Sequence, residues 1–563
     1  MTTFFNSPQV ATREVDLTTS VVAPASGTVA IAGAFTWGPV KQIVNVGSED
    51  EVVSIFRKPD NDTAATFFTL ANALSYTGNA RVVRVGASGM INATSGSTGV
   101  LVENETDYTQ NHSAGISGTT WVAKYPGTLG NSIGVSICDQ QKFANWSFAG
   151  FFSSAPSTSS FAARTNANAN DELHIVVYDA TGAITGSANT ILEKYEFVSK
   201  AAGAKTENGE NNYYKDVINR KSEWIWWGNH HAGATAPGVA WGSTVPGATG
   251  FATFGATGPI YQTLAGGVDA NVLQSAHEIA GYDLFKPDNV EYDFLMAGGS
   301  LPTTVEYLID NIAEVRKDVI VTLSPEKDDV VDNFESEVTD TTAFRNTLNS
   351  STYAFLDSGW KYQYDKYNDV FRWIPLNGDT AGLMARVDPW VSPAGLNRGF
   401  VKNVFKMAWE PSKADRDLIY PVGINPVMTV EGQGVVLFGD RMMTSKPSAF
   451  RDVNVRRLFI LLRKAISRTA QFTLFELNNE FTRARFVATV EPFLRDLKGR
   501  GAIIDGLVKC DDKNNTPQVI NTNSFVADIF IKPPRSINYI RLNFIAVPEG
   551  ISLTEIAGSN QLF

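Results

Sequence analysis

VAIAGAFTWGPV, residues Val29 to Val40, opens the folded body and sets its class. Residues 29–35 are an apolar run of small side chains that reads as a strand, and Trp37-Gly38-Pro39 turns the chain away from it. Ser48 and Glu51 stand at capping-box spacing, and residues 63–76 are rich in Ala, Leu and Phe and stop at Gly78, as a helix would. Residues 81–85 form the next strand, which makes a βαβ-like start.

The same alternation returns after Leu264. The pattern predicts a helix over 271–285, a strand over 292–296, a helix opened by Thr303 and Glu306 toward Lys317, and strands over 319–323 and 351–356. Between the two halves Gly, Ser, Thr, Ala and Asn dominate, with candidate strands at 121–123, 133–137, 174–178 and 195–198. The economical reading is a discontinuous α/β middle domain, residues 23–86 and 261–388, interrupted by a β-rich outer insertion, residues 87–260. An α+β C-terminal domain follows over 389–547, with two long helices and strands at 503–509 and 524–532. The class is therefore mixed α/β and α+β, multidomain.

Both ends read as arms, residues 1–22 and 548–563. Val15 and Leu17 alternate with Glu14 and Asp16, and Leu542, Phe544 and Ala546 repeat the period of two. A lone strand leaves its backbone donors and acceptors unpaired, so these strands must join a sheet, their own or a neighbour's.

Composition narrows the function. At 563 residues, 43% hydrophobic and 19% charged, most of the chain should fold, and two distant cysteines make neither a disulfide framework nor a zinc site. No apolar run approaches the ~20 residues of a membrane span, and no basic-apolar leader opens the sequence, so neither membrane insertion nor export is expected. The net charge of −11 argues against a nucleic-acid coat. It is unevenly spread: residues 441–500 hold 13 Lys and Arg against 5 Asp and Glu.

Motifs for chemistry are missing. Neither GxxxxGK[ST], GxGxxG nor GxSxG occurs, and Gly432-Gln433-Gly434 has no helix start behind it. His230 and His231 are adjacent and point apart on a strand, and Trp224, Trp226 and Trp227 read as a local core before they read as a sugar platform. Paired acids such as Asp365 and Asp369 define no glycosidase site without a measured separation. No catalytic residue, cofactor or metal is expected.

One constellation stands out. On a helical wheel Val455, Leu458, Phe459, Leu462 and Ile466 share one face, while Arg456, Arg457, Arg463, Lys464 and Arg468 occupy the opposite arc with Ile460 among them. Such an arc is either a solvated face or a docking surface for an acidic protein partner; it lacks aromatics for stacking bases.

Landmarks along nearly the whole chain resemble the tail sheath proteins of contractile-tailed bacteriophages and of phage-tail-like particles such as R-type pyocins. The stretch from Ser7-Pro8 to Asp16-Leu17 is similar to the family's SPGVYVxExD opening, with Gln9 in place of Gly. Residues 79–86 resemble its xAxVVRV strand, Pro126-Gly127 with Gly130-Asn131 its PGxxGN turn, and residues 264–270 its LxGGxDG, with Ala270 for the last Gly. Residues 390–399 resemble WxSPAGxNRG, and Phe475-Glu476, Leu494-Arg495 and Gly501-Ala502 resemble the closing helix and its exit.

The resemblance implies a structural protein, not an enzyme, that stacks as hexameric rings into a helical sheath around a tail tube and contracts to drive the tube through the host envelope. It implies the tail tube protein, baseplate and tail terminator proteins and further copies of this chain as partners, no direct contact with nucleic acid, and a place in the virion after assembly in the host cytoplasm. It also implies that the closing domain, with its basic helix, faces the tube, that the insertion faces outward, and that the terminal strands complete a sheet in neighbouring subunits. The alternatives are a virion-associated glycan-binding or glycan-degrading tail protein, using the Trp-rich outer region, and the sheath of a contractile secretion or bacteriocin particle.

Overall fold

The computed structural model describes residues 27–96, 99–232, 238–536 and 538. Contacts divide the chain into two units, Met1–Leu477 and Asn478–Phe563.

In the first unit, β1 (Val29–Gly33) pairs in parallel with β3 (Ala80–Arg84), and β2 (Ile43–Val46) returns antiparallel along the outer edge of β3. Every residue of β1 is buried, as in a strand covered on both faces. Two glycines show the covers. A Cβ on Gly33 would lie 2.6 Å from Thr66 Oγ1 of the helix Ala64–Leu74, and one on Gly281, in the helix Ser275–Tyr282, would lie 3.2 Å from the Cβ of Ala32. Neighbouring strand residues point to opposite faces, so the helices flank the sheet. The expected cap is in place before the helix Glu49–Phe56, where Ser48 Oγ accepts the Glu51 N–H at 3.2 Å and the Glu51 carboxylate accepts the Gly47 N–H at 2.7 Å.

The insertion carries β4 (Trp121–Ala123), β5 (Ile133–Cys138), β6 (Glu172–Asp179), β7 (Thr190–Ser199), β8 (Ile225–Trp227) and β9 (Ile260–Thr263). Four of them form an antiparallel sheet in the order β7-β6-β5-β9, and β4 pairs with β8. Its core is built on Ile133, Val135, Ile175, Val177, Trp121 and Trp227, and Trp37 from the sheet domain packs into it.

Three stretches quoted above for the family likeness meet where the insertion joins the sheet. Arg84, at the end of β3, is wholly buried and donates to the carbonyls of Phe35 (2.8 Å), Thr36 (3.2 Å), Gly38 (2.8 Å) and Pro126 (3.0 Å). Desolvation brings its guanidinium down to about 10, against the pull of Asp269. Asn131 exchanges two hydrogen bonds with the backbone of Gly267, at 2.7 and 3.0 Å, and Asp269 accepts the Thr128 N–H at 3.1 Å.

β10 (Phe294–Met296), β11 (Ile320–Leu323) and β12 (Ala354–Asp357) extend the sheet in parallel on the other side of β1. Next come the hairpin β13 (Trp360–Asp365) and β14 (Val370–Pro375), the helix Asn377–Arg386, and β15 (Lys406–Met407) beside β13. β16 (Ile424–Asn425) is the last strand, giving the order β16-β12-β11-β10-β1-β3-β2, and β17 (Val427–Val430) and β18 (Gly434–Leu437) form a hairpin. Residues 389–477, expected in the C-terminal domain, thus lie in the first unit, because β16 belongs to the sheet. The helix expected over 271–285 is shorter, Ser275–Tyr282 with a 3₁₀ turn behind it.

The helix Asn377–Arg386 crosses the helix Ala64–Leu74 at backbone contact. A Cβ on Gly378 would stand 2.2 Å from the Thr69 carbonyl oxygen, and one on Gly382 would stand 3.0 Å from that of Ala73. Gly378→Ala is therefore expected to cost ~1–3 kcal/mol as overpacking, read as a lower denaturant midpoint. Gly499→Ala, whose Cβ would meet nothing within 4 Å, should leave the midpoint in place.

Candidate functional site

The basic helix runs Val453–Gln471 and starts at Asp452. The two-faced reading of it fails in its first half, where Val453–Leu462 are buried apart from half-buried Phe459. Arg457, 5% exposed, sends its guanidinium to the carbonyl end of the helix Asn377–Arg386, donating to Met384 O at 2.5 Å and Val387 O at 2.8 Å, with Asp388 O and Val391 O at 3.4 Å. A helix leaves its last carbonyls without partners, and a cation there also meets the negative end of the dipole. Desolvation brings Arg457 down to about 10, and Asp293 and Asp388 resist that shift.

The rest of the arc is also engaged with its own chain. Arg456 donates to Tyr353 Oη at 3.1 Å and Thr352 Oγ1 at 2.6 Å and stacks on the Phe450 ring, and Ile460 is in the core. Lys464 binds Tyr292 O and Asp293 Oδ1, each at 2.8 Å, and Arg468 pairs with Glu291. Arg463 is exposed, with a 3.4 Å bond to Lys317 O. Arg456, Arg457 and Ile460 are therefore corrected from surface contacts to internal anchors. Side-chain pattern could not show this, because most of the acceptors are main-chain carbonyls. Asp293 also accepts the Gly27 N–H at 2.7 Å, so the first described residue lies beside Lys464's partner.

In the second unit, the helix Glu480–Gly499 is capped by Asn479, which accepts the Thr482 N–H at 2.8 Å, and buries Phe486, Val490, Leu494 and Leu497. β19 (Asp505–Lys509) and β20 (Asp528–Lys532) pair antiparallel in full register. Among the described residues neither outer edge of this two-stranded sheet is paired, and the cross-strand pair Leu507 and Phe530 is exposed. A two-stranded sheet is marginal alone, and open edges accept further strands. The arm strands, with Glu14, Val15, Asp16, Leu17, Leu542, Phe544 and Ala546, lie outside the described residues.

The other candidates resolve into structure. Trp224, Trp226 and Trp227 are buried in the insertion, which leaves them no open face for a sugar. His230 Nδ1 lies 2.5 Å from Tyr214 Oη, and Cys138 and Cys510 are free and buried. Among the described residues no three His, Cys, Asp or Glu side chains gather as a metal group, and no helix is long and apolar enough to cross a membrane.

Residues 26–85 match the Tail sheath protein Gp18 domain III N-terminal region, 277–443 the Phage tail sheath protein central domain, and 445–546 the Phage tail sheath C-terminal domain. The tail sheath protein of Salmonella phage ViI is 33% identical over 98% of this chain and 97% of its own. The chain belongs to the phage tail sheath family. The tail sheath protein of Enterobacteria phage T4 is 31% identical over 98% of this chain and 99% of its own. In fold the chain is similar to a sheath tail protein from Listeria innocua (TM-score 0.53, 13% identity, 92% of this chain and 94% of that one). It is also similar to the sheath of an extracellular contractile injection system in its contracted state (TM-score 0.50, 13% identity, 97% and 98%). As a family member the chain has a structural role, that of a tail sheath subunit and virion component. The insertion falls between the matched segments 26–85 and 277–443.

Arg457→Ala is expected to lower stability by ~3 kcal/mol or more, since it leaves buried carbonyls unpaired. Arg463→Glu should change it by less than ~0.5 kcal/mol. Denaturant titrations of the two variants, side by side, check the assignment.

Proposed function

We propose that the chain polymerises as stacked hexameric rings into a contractile helical sheath around a tail tube, and that contraction drives the tube through the host envelope. The observation that carries this reading is the two-stranded sheet β19–β20. Its edges, unpaired among the described residues, can each take a strand, and the chain holds two strand-like arms to supply them. Backbone pairing of this kind keeps subunits linked while their bodies move, and the stored energy comes from a change of packing without an active site.

Gly27 immediately precedes β1, and β20 ends at Lys532, ahead of the strand-like stretch from Leu542, so each arm adjoins a described element in sequence. The insertion, with a core centred on its own sheets, is the outward part, and the −11 net charge is the sum of +8 in residues 441–500 and −19 in the rest of the chain. The tube contact uses Arg463 and Arg468, the members of the basic arc that keep exposed guanidinium surface, against an acidic tube. Baseplate and tail terminator proteins cap the polymer, assembly takes place in the host cytoplasm, and the chain itself has no enzymatic step and no direct contact with nucleic acid.

Deletion of residues 1–20 is expected to leave a folded monomer that forms no long tubes. Circular dichroism and negative-stain electron microscopy read the two halves of that statement, and normal tubes would refute the arm's role. Charge reversal at Arg463 and Arg468 should weaken co-assembly with the tube protein and leave thermal unfolding unchanged, whereas the same reversal at Arg457 should unfold the chain.

A further inference from the structure

The sheet β14-β13-β15 turns its polar side inward and its aromatic side outward. Lys361, Gln363 and Asp365 of β13 are buried, and each has a partner: Lys361 Nζ reaches Asp379 Oδ1 at 3.0 Å, Gln363 Oε1 accepts Asn72 Nδ2 at 2.8 Å, and Asp365 Oδ2 pairs with Arg372 at 2.8 Å. The residues that alternate with them point the other way. Tyr362 and Tyr364 face Trp373 and Phe371 across the strand pair, and Phe405 packs on Phe371 at 4.9 Å between ring centroids. Tyr362 stands 5.3 Å from Phe371 and 4.7 Å from Trp373, so the rings form one continuous face. Phe405 is 69% and Tyr364 47% exposed. Lys406 lies over Tyr362 and Trp373 at 5.2 and 5.3 Å, and among the described residues no carboxylate forms an ion pair with it. A contiguous aromatic face of this kind marks a contact site.

The same unit carries a matching shape. Phe334 is 82% exposed at the tip of a loop between Asp332 and Glu335, both non-glycine residues in the left-handed region at φ 55° and 70°. Asn333 holds the loop by donating to Asp329 O at 2.9 Å and Asp340 Oδ2 at 2.8 Å. Asp328, Asp332 and Glu335 are exposed around the tip. This is an aromatic knob with an acidic collar, where the sheet offers an aromatic bed with a cation.

We propose that Phe334 of one subunit docks on the Tyr362–Phe371–Phe405 face of a second copy of this chain, with Asp332 and Glu335 directed to its Lys406. Knob and bed are different parts of the surface, so the contact is head-to-tail and repeats from copy to copy, as a helical polymer requires. The inference rests on the self-assembly reading above and adds a specific contact to it.

The test is a chain carrying Glu335→Cys and Lys406→Cys together, which keeps Phe334 and the aromatic bed, oxidised after assembly; the natural cysteines are buried. The expected result is a covalent ladder on a non-reducing gel from the double variant and none from either single variant. Tubes visible by electron microscopy without a ladder, or a cross-link confined within one subunit, would overturn the contact while leaving the sheath reading intact. Absence of tubes from the unmodified chain would overturn both. Lys406→Glu should slow polymerisation about tenfold by light scattering with no change in unfolding, and Asp332→Lys with Glu335→Lys should restore it; an unchanged rate for Lys406→Glu refutes the pairing. Protection of Tyr364→Cys from maleimide in the unassembled full chain, lost on deleting residues 1–26, would assign the bed to the N-terminal arm and also refute it.

Discussion

A guanidinium can be buried only where acceptors already wait for its hydrogens, and Arg457 finds them on the last carbonyls of the helix Asn377–Arg386. That helix is fixed in turn. It crosses the helix Ala64–Leu74 at Gly378 and Gly382, where the backbones touch, and so lies against the central sheet. Through Arg457 the last long helix of the first unit is tied to the same layer. Lys464 adds a second tie on Asp293, the residue that also accepts the Gly27 N–H at the entry to β1. Gly27, the first described residue, and the last long helix of the first unit are thus both held by one short stretch before β10.

The join of the insertion to the sheet follows the same rule. Arg84 ends a buried parallel strand and spends its donors on four carbonyls, one of them Pro126 in the insertion. Asn131 and Asp269 close the junction from the other side. Stretches that look like separate signatures along the chain are one joint in space. A buried guanidinium hydrogen-bonded to four carbonyls on both sides of the junction makes that joint stiff.

The second unit is built on the opposite principle. Its helix Glu480–Gly499 buries one stripe of Phe486, Val490, Leu494 and Leu497, and its two strands stop short of a self-sufficient sheet. Rigidity in the first unit and incompleteness in the second suit a protein whose final structure is a polymer. The aromatic face on β13 and β14 belongs to the same pattern, since exposed rings of this kind carry a cost in water that contact removes.

Much of this was legible in the sequence. The runs Val29–Gly33 and Phe294–Met296 are apolar over their whole length and Ile320–Leu323 is broken only by Thr322, a pattern that marks strands of a covered parallel sheet, whereas Ala80–Arg84 keeps its apolar pair Val82-Val83 between two arginines. The cap at Ser48, the return of the sheet after the insertion and the β-rich insertion itself were legible too, because each depends on neighbours within a few residues. The alternation in β13, Trp360-Lys361-Tyr362-Gln363-Tyr364-Asp365, marks a strand but suggests the wrong face inside: Lys361 is buried because Asp379 lies beneath it, 18 residues away. Arg456 and Arg457 read as a solvated arc for the same reason. The sequence by itself determined the family and most of the order of elements. Only the tertiary structure decided which charges face water, because the burial of a cation depends on the acceptors opposite it, and for Arg457 these are main-chain carbonyls that every residue possesses and no pattern can distinguish.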